Sequence, residues 1–248
     1  MASRAFRRPL DAELRRKYVD SIFTEGIAPE QAVKRAVILI LQSPRFLYPE
    51  LGPQKDDYTV ATRLALGTWD ALPDQELLEA ARAGRLRTKD QVTEQARRLM
   101  ADPRAKSKLG GFFERWLKLD VDTDLRKEAD IFPGFDAALV ADLRRSLEVF
   151  VEQVVWSEKS DYRELLQADY VMMNDRLAKF YGVTLPAADG FQKVALDPAQ
   201  RSGIVTHPYL LARLAHHNQT SPIHRGVFVT RHLLGGILKP PPEDIEFK

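Results

Sequence analysis

The stretch Pro103-Arg104-Ala105-Lys106-Ser107-Lys108-Leu109-Gly110-Gly111-Phe112-Phe113-Glu114-Arg115-Trp116-Leu117-Lys118-Leu119-Asp120 decides the fold class. Leu109, Phe112, Phe113, Trp116 and Leu117 recur at i, i+3, i+4, i+7 and i+8, which puts all five on one face of a helix. That face predicts burial against other helices. On that basis Trp116→Ala removes a buried aromatic, a loss of about 3 to 5 kcal/mol.

The same period recurs on both sides. Downstream, Leu139, Leu143, Leu147, Phe150, Val151 and Val154 form a stripe behind Asp136, an N-cap that follows the Phe132-Pro133-Gly134 turn. Upstream, Thr88-Lys89-Asp90-Gln91 has the form of a capping box and opens a helix stopped before Pro103. Asp56 or Asp57 can cap a helix bearing Tyr58, Ala61, Leu64, Ala65 and Trp69, and Pro73 begins another that ends at Gly84. The first fifty residues predict a helical hairpin, Ala12 to Thr24 and Pro29 to Gln42, closed by Ser43-Pro44. Within it Val37 to Leu41 is short enough to read as a buried strand as well as helix, with the flanking helix formers favouring helix. Asn174 caps a helix ended by Gly182, and an irregular stretch from Val183 to Leu196 holds a short strand at Phe191 to Leu196. Pro208 suits the start of a helix reaching about His216, and Ser221-Pro222 starts a last one reaching Leu234. Pro240-Pro241-Pro242 favours polyproline II. The expected architecture is all-α, a multi-helix orthogonal or antiparallel bundle with at most a short β hairpin near residues 183–196.

The chain has 248 residues, 44% hydrophobic and 29% charged, so it can bury a large core without staples. Lys+Arg 37 against Asp+Glu 35 gives a net charge of +2, and no chain-wide excess favours nucleic acid or anionic lipid. With no cysteine, the chain holds no disulfide, thiolate metal site, cysteine nucleophile, iron–sulfur cluster or covalent haem. The longest apolar run, Val37 to Leu41, falls far short of the roughly 20 residues that span a bilayer. Residues 1–10 carry Arg4, Arg7 and Arg8 but no apolar h-region. The basic run that they begin reads as a solvated face, a patch for an acidic partner, or contacts to the rest of the protein.

All five histidines lie between His207 and His232. No pair stands at i, i+4 on a helix, and His224 and His232 would lie roughly 12 Å apart along one axis. A metal or acid/base site therefore needs His216 or His217 joined to His207 or His224 by the Asn218 to Pro222 turn, with a carboxylate from elsewhere. The plainer reading is of surface or capping histidines, His216 and His232 suiting helix C-termini. Asp120, Asp122 and Asp124 open like a calcium loop, yet Leu125 and Ile131 stand where Gly and Glu are required. Nucleotide-loop, dinucleotide, zinc-protease and serine-hydrolase motifs are absent from the sequence.

Several phrases occur in a family's order: Arg4-Ala5-Phe6-Arg7-Arg8-Pro9-Leu10, Ser43-Pro44-Arg45-Phe46-Leu47-Tyr48, Asp57-Tyr58 with Trp69, Gly84-Arg85-Leu86, Ala168-Asp169-Tyr170, Arg176-Leu177-Ala178 with Tyr181-Gly182, and Thr220-Ser221-Pro222-Ile223 with Arg225-Gly226 before the proline run. Together they resemble the helical domains of unknown function found in large secreted proteins of planctomycetes and myxobacteria, often joined to a planctomycete-type cytochrome c domain. The resemblance covers nearly the whole chain. It implies a hairpin module at 1–50, a central helical domain at 51–182, a C-terminal module at 183–242 and a tail at 243–248. It also implies an extracytoplasmic setting and a haem c that sits on a linked or partner domain, whereas the start without a signal reads as cytoplasmic if it is genuine. No Cys-x-x-Cys-His occurs, so no haem-binding residue carries over, and the resemblance supplies no catalytic residues.

Two functional expectations follow. One is a non-catalytic scaffold or interaction module for a cytochrome-type partner, with neither a span of membrane nor bound nucleic acid. The other is an enzyme whose site lies in residues 207–231, with His216, His217 or His224 as acid/base or ligand and Arg225 or Arg231 binding an anionic group.

Overall fold

The computed structural model describes residues 1–24, 26–49, 56–120, 125–185 and 190–239. Asp122 and Asp124 of the calcium-like run, the proline run and the tail lie outside them. The protein is mainly α-helical, with one two-stranded sheet among the described residues. The chain divides into two compact units, residues 1–112 and 113–248.

In the first unit, α1 (Ala2–Ala5) is followed by α2 (Ala12–Arg15), capped by Asp11 and continued as a π turn over Arg16–Asp20. The expected helix to Thr24 is thus shorter, because Ser21 N–H bonds back five residues to Arg16 and its hydroxyl takes the Lys17 carbonyl. Next come α3 (Pro29–Leu41), which settles Val37 to Leu41 as helix, and α4 (Pro44–Leu47), capped by Ser43. Phe6 meets Tyr18 edge-on at 4.9 Å, and the Tyr18 hydroxyl pairs with Ser43 Oγ at 2.7 Å. Arg7 is buried in the left-handed region at φ 59°. Its guanidinium donates to the carbonyls of Arg45 (2.6 Å), Ala5 (3.1 Å) and Phe46 (3.4 Å), so the first two family phrases are halves of one contact.

Then follow α5 (Asp57–Trp69), α6 (Gln75–Arg82) and α7 (Lys89–Met100). Asp56 is the cap of α5, and Asp74, one residue past Pro73, caps α6. The Thr88–Gln91 capping box forms. Arg98 grips Asp74 with two bonds, 2.7 and 3.0 Å, and this pairing holds the Asp74 carboxyl below its ordinary range. Trp69 is buried, with its indole N–H on the Leu99 carbonyl at 2.8 Å and the Arg104 guanidinium 3.5 Å from its ring centre.

The division between units falls inside α8 (Pro103–Trp116), the helix of the opening stretch. Phe113 and Leu117 are buried as expected, but Phe112 is 49% exposed and Trp116 is half-buried. The one-face reading therefore overstated the buried width, and truncating Trp116 should cost less than a fully buried ring. The helix stops before Asp120 because Lys118 turns left-handed at φ 59°. Lys118 N–H bonds to the Arg115 carbonyl and Leu119 N–H to that of Glu114, the paired bonds of a Schellman motif.

In the second unit, α9 (Ala137–Val155) buries Leu139, Leu143, Leu147, Phe150, Val151 and Val154, the whole expected stripe. Around it pack α10 (Glu164–Gln167), β1 (Tyr170–Met173), α11 (Asp175–Tyr181, capped by Asn174) and α12 (Pro208–Arg213). Strand β2 (Gln192–Ala195) runs antiparallel to β1, with Val171 opposite Val194. Helix α11 lies between the two strands of this short antiparallel pair, and every residue of β1 is buried because α9 covers it. Gly203 sits at φ 51°, its N–H on the Ala168 carbonyl at 2.7 Å. A Cβ there would stand 2.2 Å from the Leu165 carbonyl oxygen, so only glycine lets this segment lie on α10. The last elements are α13 (Pro222–Phe228), capped by Ser221, and a π turn over Val229–Leu233.

Candidate functional site

His207 is the one buried histidine of the described residues, and its role is structural. It caps α12, with Nδ1 accepting from Tyr209 N–H at 3.3 Å. Nε2 lies 3.3 Å from Ser146 Oγ, whose hydroxyl donates to the Met172 carbonyl. Because an amide N–H can only donate, Nδ1 carries no proton, so Nε2 donates to Ser146 and the chain of donors closes. Burial, with Arg201 adding a smaller push, lowers the imidazole to about 3, so it is neutral at ordinary pH.

Beyond α12 the chain folds back on itself. His216 N–H bonds to the Gln219 carbonyl at 2.8 Å, and the turn brings the His216 ring to 5.1 Å from that of His224. Lys127 Nζ reaches the His216 carbonyl at 2.6 Å, and Glu128 N–H the His217 carbonyl at 3.1 Å. Burial lowers the Lys127 pKa. His216, His217 and His224 are exposed, as is Arg231, while Arg225 is half-buried. His217 makes no ring contact among the described residues. His232 packs on Phe228 at 5.3 Å and offers its carbonyl to the Trp116 indole N–H. Its pKa is lowered by burial first, then by Lys118, Arg231 and Arg213.

Of the expected constellation the structure thus joins His216 to His224 and leaves His207 in the core. Among the described residues, no carboxylate joins this pair to complete the orienting partner of an acid/base relay. Among the described residues, no group of three or more His, Asp or Glu is disposed to hold a metal ion. Two features escaped sequence reading. One is a cavity in the first unit lined in part by Arg4, Arg8 and Arg82; the N-terminal basic run was its only visible signal. The other is the apolar surface of the last segment, where Ile223 and Leu234 are each 76% exposed and Ile237 is 92% exposed.

The family model "Protein of unknown function (DUF1592)" matches residues 56–183, just over half of the chain. The chain belongs to the DUF1592 family. Two further models match this DUF1592 protein, one of unknown function (DUF1595) over residues 1–49 and one of unknown function (DUF1588; PSCyt3) over residues 201–248. All three are of the planctomycete cytochrome c type, the group that the sequence phrases resemble. No curated protein and no solved structure matches the chain. The Arg7 clamp on α4 lies wholly within the DUF1595 match, α9 and β1 within the DUF1592 match, and Gly203 with the His216–His224 pair within the DUF1588 match. No helix among the described residues is long and apolar enough to cross a membrane.

Proposed function

We propose that this DUF1592 protein is a non-catalytic helical interaction module of an extracytoplasmic, redox-associated protein, and that its segment 201–239 docks a haem-bearing cytochrome-type domain with an acidic rim. The observation that carries the reading is the character of that segment. From Arg201 to Lys239 it has five Lys or Arg and no Asp or Glu. Within it, Ile223, Leu234 and Ile237 face solvent. Exposed apolar side chains give a transient protein contact its area, and positive charge raises its encounter rate. The PSCyt3 match over the same residues supports a cytochrome-type partner.

The test is titration of the purified chain with a haem-bearing cytochrome c domain encoded in the same or a neighbouring reading frame, read by calorimetry or haem-resonance shifts. Saturable binding is expected, weakened about tenfold or more by Ile223→Asp with Ile237→Asp and weakened again by salt. Absence of binding, or binding indifferent to both changes, overturns the reading.

The nearness of His216 to His224 favours a second reading, an enzyme whose metal or acid/base site uses this pair with Arg225 or Arg231 holding an anionic group. Stoichiometric zinc, copper or iron in purified protein, lost in His216→Ala with His224→Ala, would establish it; metal-free protein with unchanged behaviour in that variant removes it.

A further inference from the structure

The cavity of the first unit has a volume of about 500 Å³, within the range of small-molecule sites. Three arginines line it, Arg4, Arg8 and Arg82, together with Glu79, Tyr58 and Leu78. Arg8 is already committed: it holds Asp56 with bonds of 3.1 and 3.3 Å and lies 6.0 Å from the centre of the Tyr58 ring. Asp56 is in turn held ionised. Burial works against its charge, but the Thr59 amide and hydroxyl and the Arg8 guanidinium outweigh that and bring its pKa down. That pair is neutral as a unit. Glu79 takes its hydrogen bond from the uncharged Gln75 amide at 2.9 Å. Neither Arg4 nor Arg82 forms an ion pair among the described residues.

The charge balance of the lining is therefore two free guanidiniums against one carboxylate, one positive charge in surplus. One anionic group neutralises it, whereas a dianion such as phosphate overshoots. A guanidinium fork matches the two oxygens of a carboxylate. The phenol ring and Leu78 give the rest of the ligand an apolar wall.

We propose that this cavity binds a small organic monocarboxylate with a flat apolar body, its carboxylate held by Arg4 and Arg82 and its body lying against Tyr58 and Leu78. This site is independent of the docking segment and stands whether or not that proposal holds.

The probe is 2-naphthoate, titrated into the full chain and followed by calorimetry or ligand-observed NMR. Saturable binding at about millimolar affinity or tighter is expected. Arg4→Ala with Arg82→Ala should weaken it at least tenfold, and Leu78→Glu, which places a carboxylate at the apolar wall, should weaken it too. Arg97→Ala with Arg115→Ala, an equal loss of charge at two exposed arginines outside the cavity, should leave it unchanged. Arg4 and Arg82 are exposed, so the double variant is expected to melt with the parent, and circular dichroism checks that it folds. If Leu78→Glu alone fails to fold, the double variant and the ligand comparison still decide. No saturation by about 10 mM, equal binding by the Arg4/Arg82 variant, or inorganic phosphate competing as well as naphthoate overturns the proposal.

Discussion

The proton of His207 sits on Nε2 because the Tyr209 amide claims Nδ1, and that single fact ties α12 to α9 and β1 through Ser146 and the Met172 carbonyl. It also makes the core sensitive to acid. With the native imidazole lowered to about 3 and the unfolded one near 6.5, the unfolded chain binds the proton first as pH falls. Stability is fully present above about pH 6.5 and drains as pH drops toward 3. Urea melts between about pH 7 and 5, above the range where carboxylates protonate, should show this slope, and His207→Asn, which keeps a cap without the titration, should flatten it. A slope unchanged in that variant would show that His207 is not its source. Lys118 makes a second residue-scale case. A left-handed L-residue costs about 1 to 2 kcal/mol, and glycine's extra unfolded-state entropy about 0.5 to 1. Lys118→Gly should therefore stabilise by about 0.5 to 1 kcal/mol in chemical denaturation; a loss of stability would mean that the Lys118 side chain holds the end of α8. Arg7 pairs the same backbone conformation with a buried charge whose acceptors among the described residues are carbonyls, each such bond being worth about 1.5 to 3 kcal/mol.

Elements here are set by caps and stops more than by propensity. Asp11, Asp56, Asp74, Thr88, Asp136, Asn174 and Ser221 each accept an N–H of the first turn, and Gly84 and Gly182 end α6 and α11 with Schellman bonds. These are short-range signals, so α5 to α7, α9 and α11 were legible within a residue or two, while α8 ended early at the Lys118 turn. The π turns at Arg16–Asp20 and Val229–Leu233 were not, since nothing in a three-to-four-residue period distinguishes them from helix. Strand β1 was missed for a related reason: Tyr170 to Met173 is buried on both faces and shows no alternation, and its partner lies beyond α11. Gly203 joins two such elements. Gly203→Ala should cost about 3 kcal/mol or more, because the new methyl meets backbone that cannot yield and the left-handed angle is lost as well. Thermal melting checks it, and a shift of less than a degree or two would show that residues 201–206 do not rest on α10 as described.

At the scale of the molecule, average charge hid its distribution. A net of +2 gave no chain-wide excess to favour nucleic acid or anionic lipid, while the 39 residues from Arg201 to Lys239 hold five positive side chains and no negative one. The docking proposal lives at this scale, and so does its kinetic consequence. Reversing Arg225 and Arg231 to Glu should slow association with the cytochrome-type partner by about tenfold with a smaller change in dissociation, because rim charges steer encounter. Stopped-flow mixing at low and high salt separates the two rates, and an effect confined to dissociation would place those arginines inside the contact.

The amino-acid order alone determined that the chain is helical, where most helices begin and end, and which family it joins, because periodicity, capping and short phrases are local properties. Tertiary structure decided what those residues do. It sent His207 into the core and left His216 facing His224. It made the Arg7 and Arg45 phrases into one contact, and it gathered Arg4, Arg8 and Arg82 around a cavity. Those outcomes depend on which distant segments share a neighbourhood, and a one-dimensional pattern carries spacing along the chain but not distance through space.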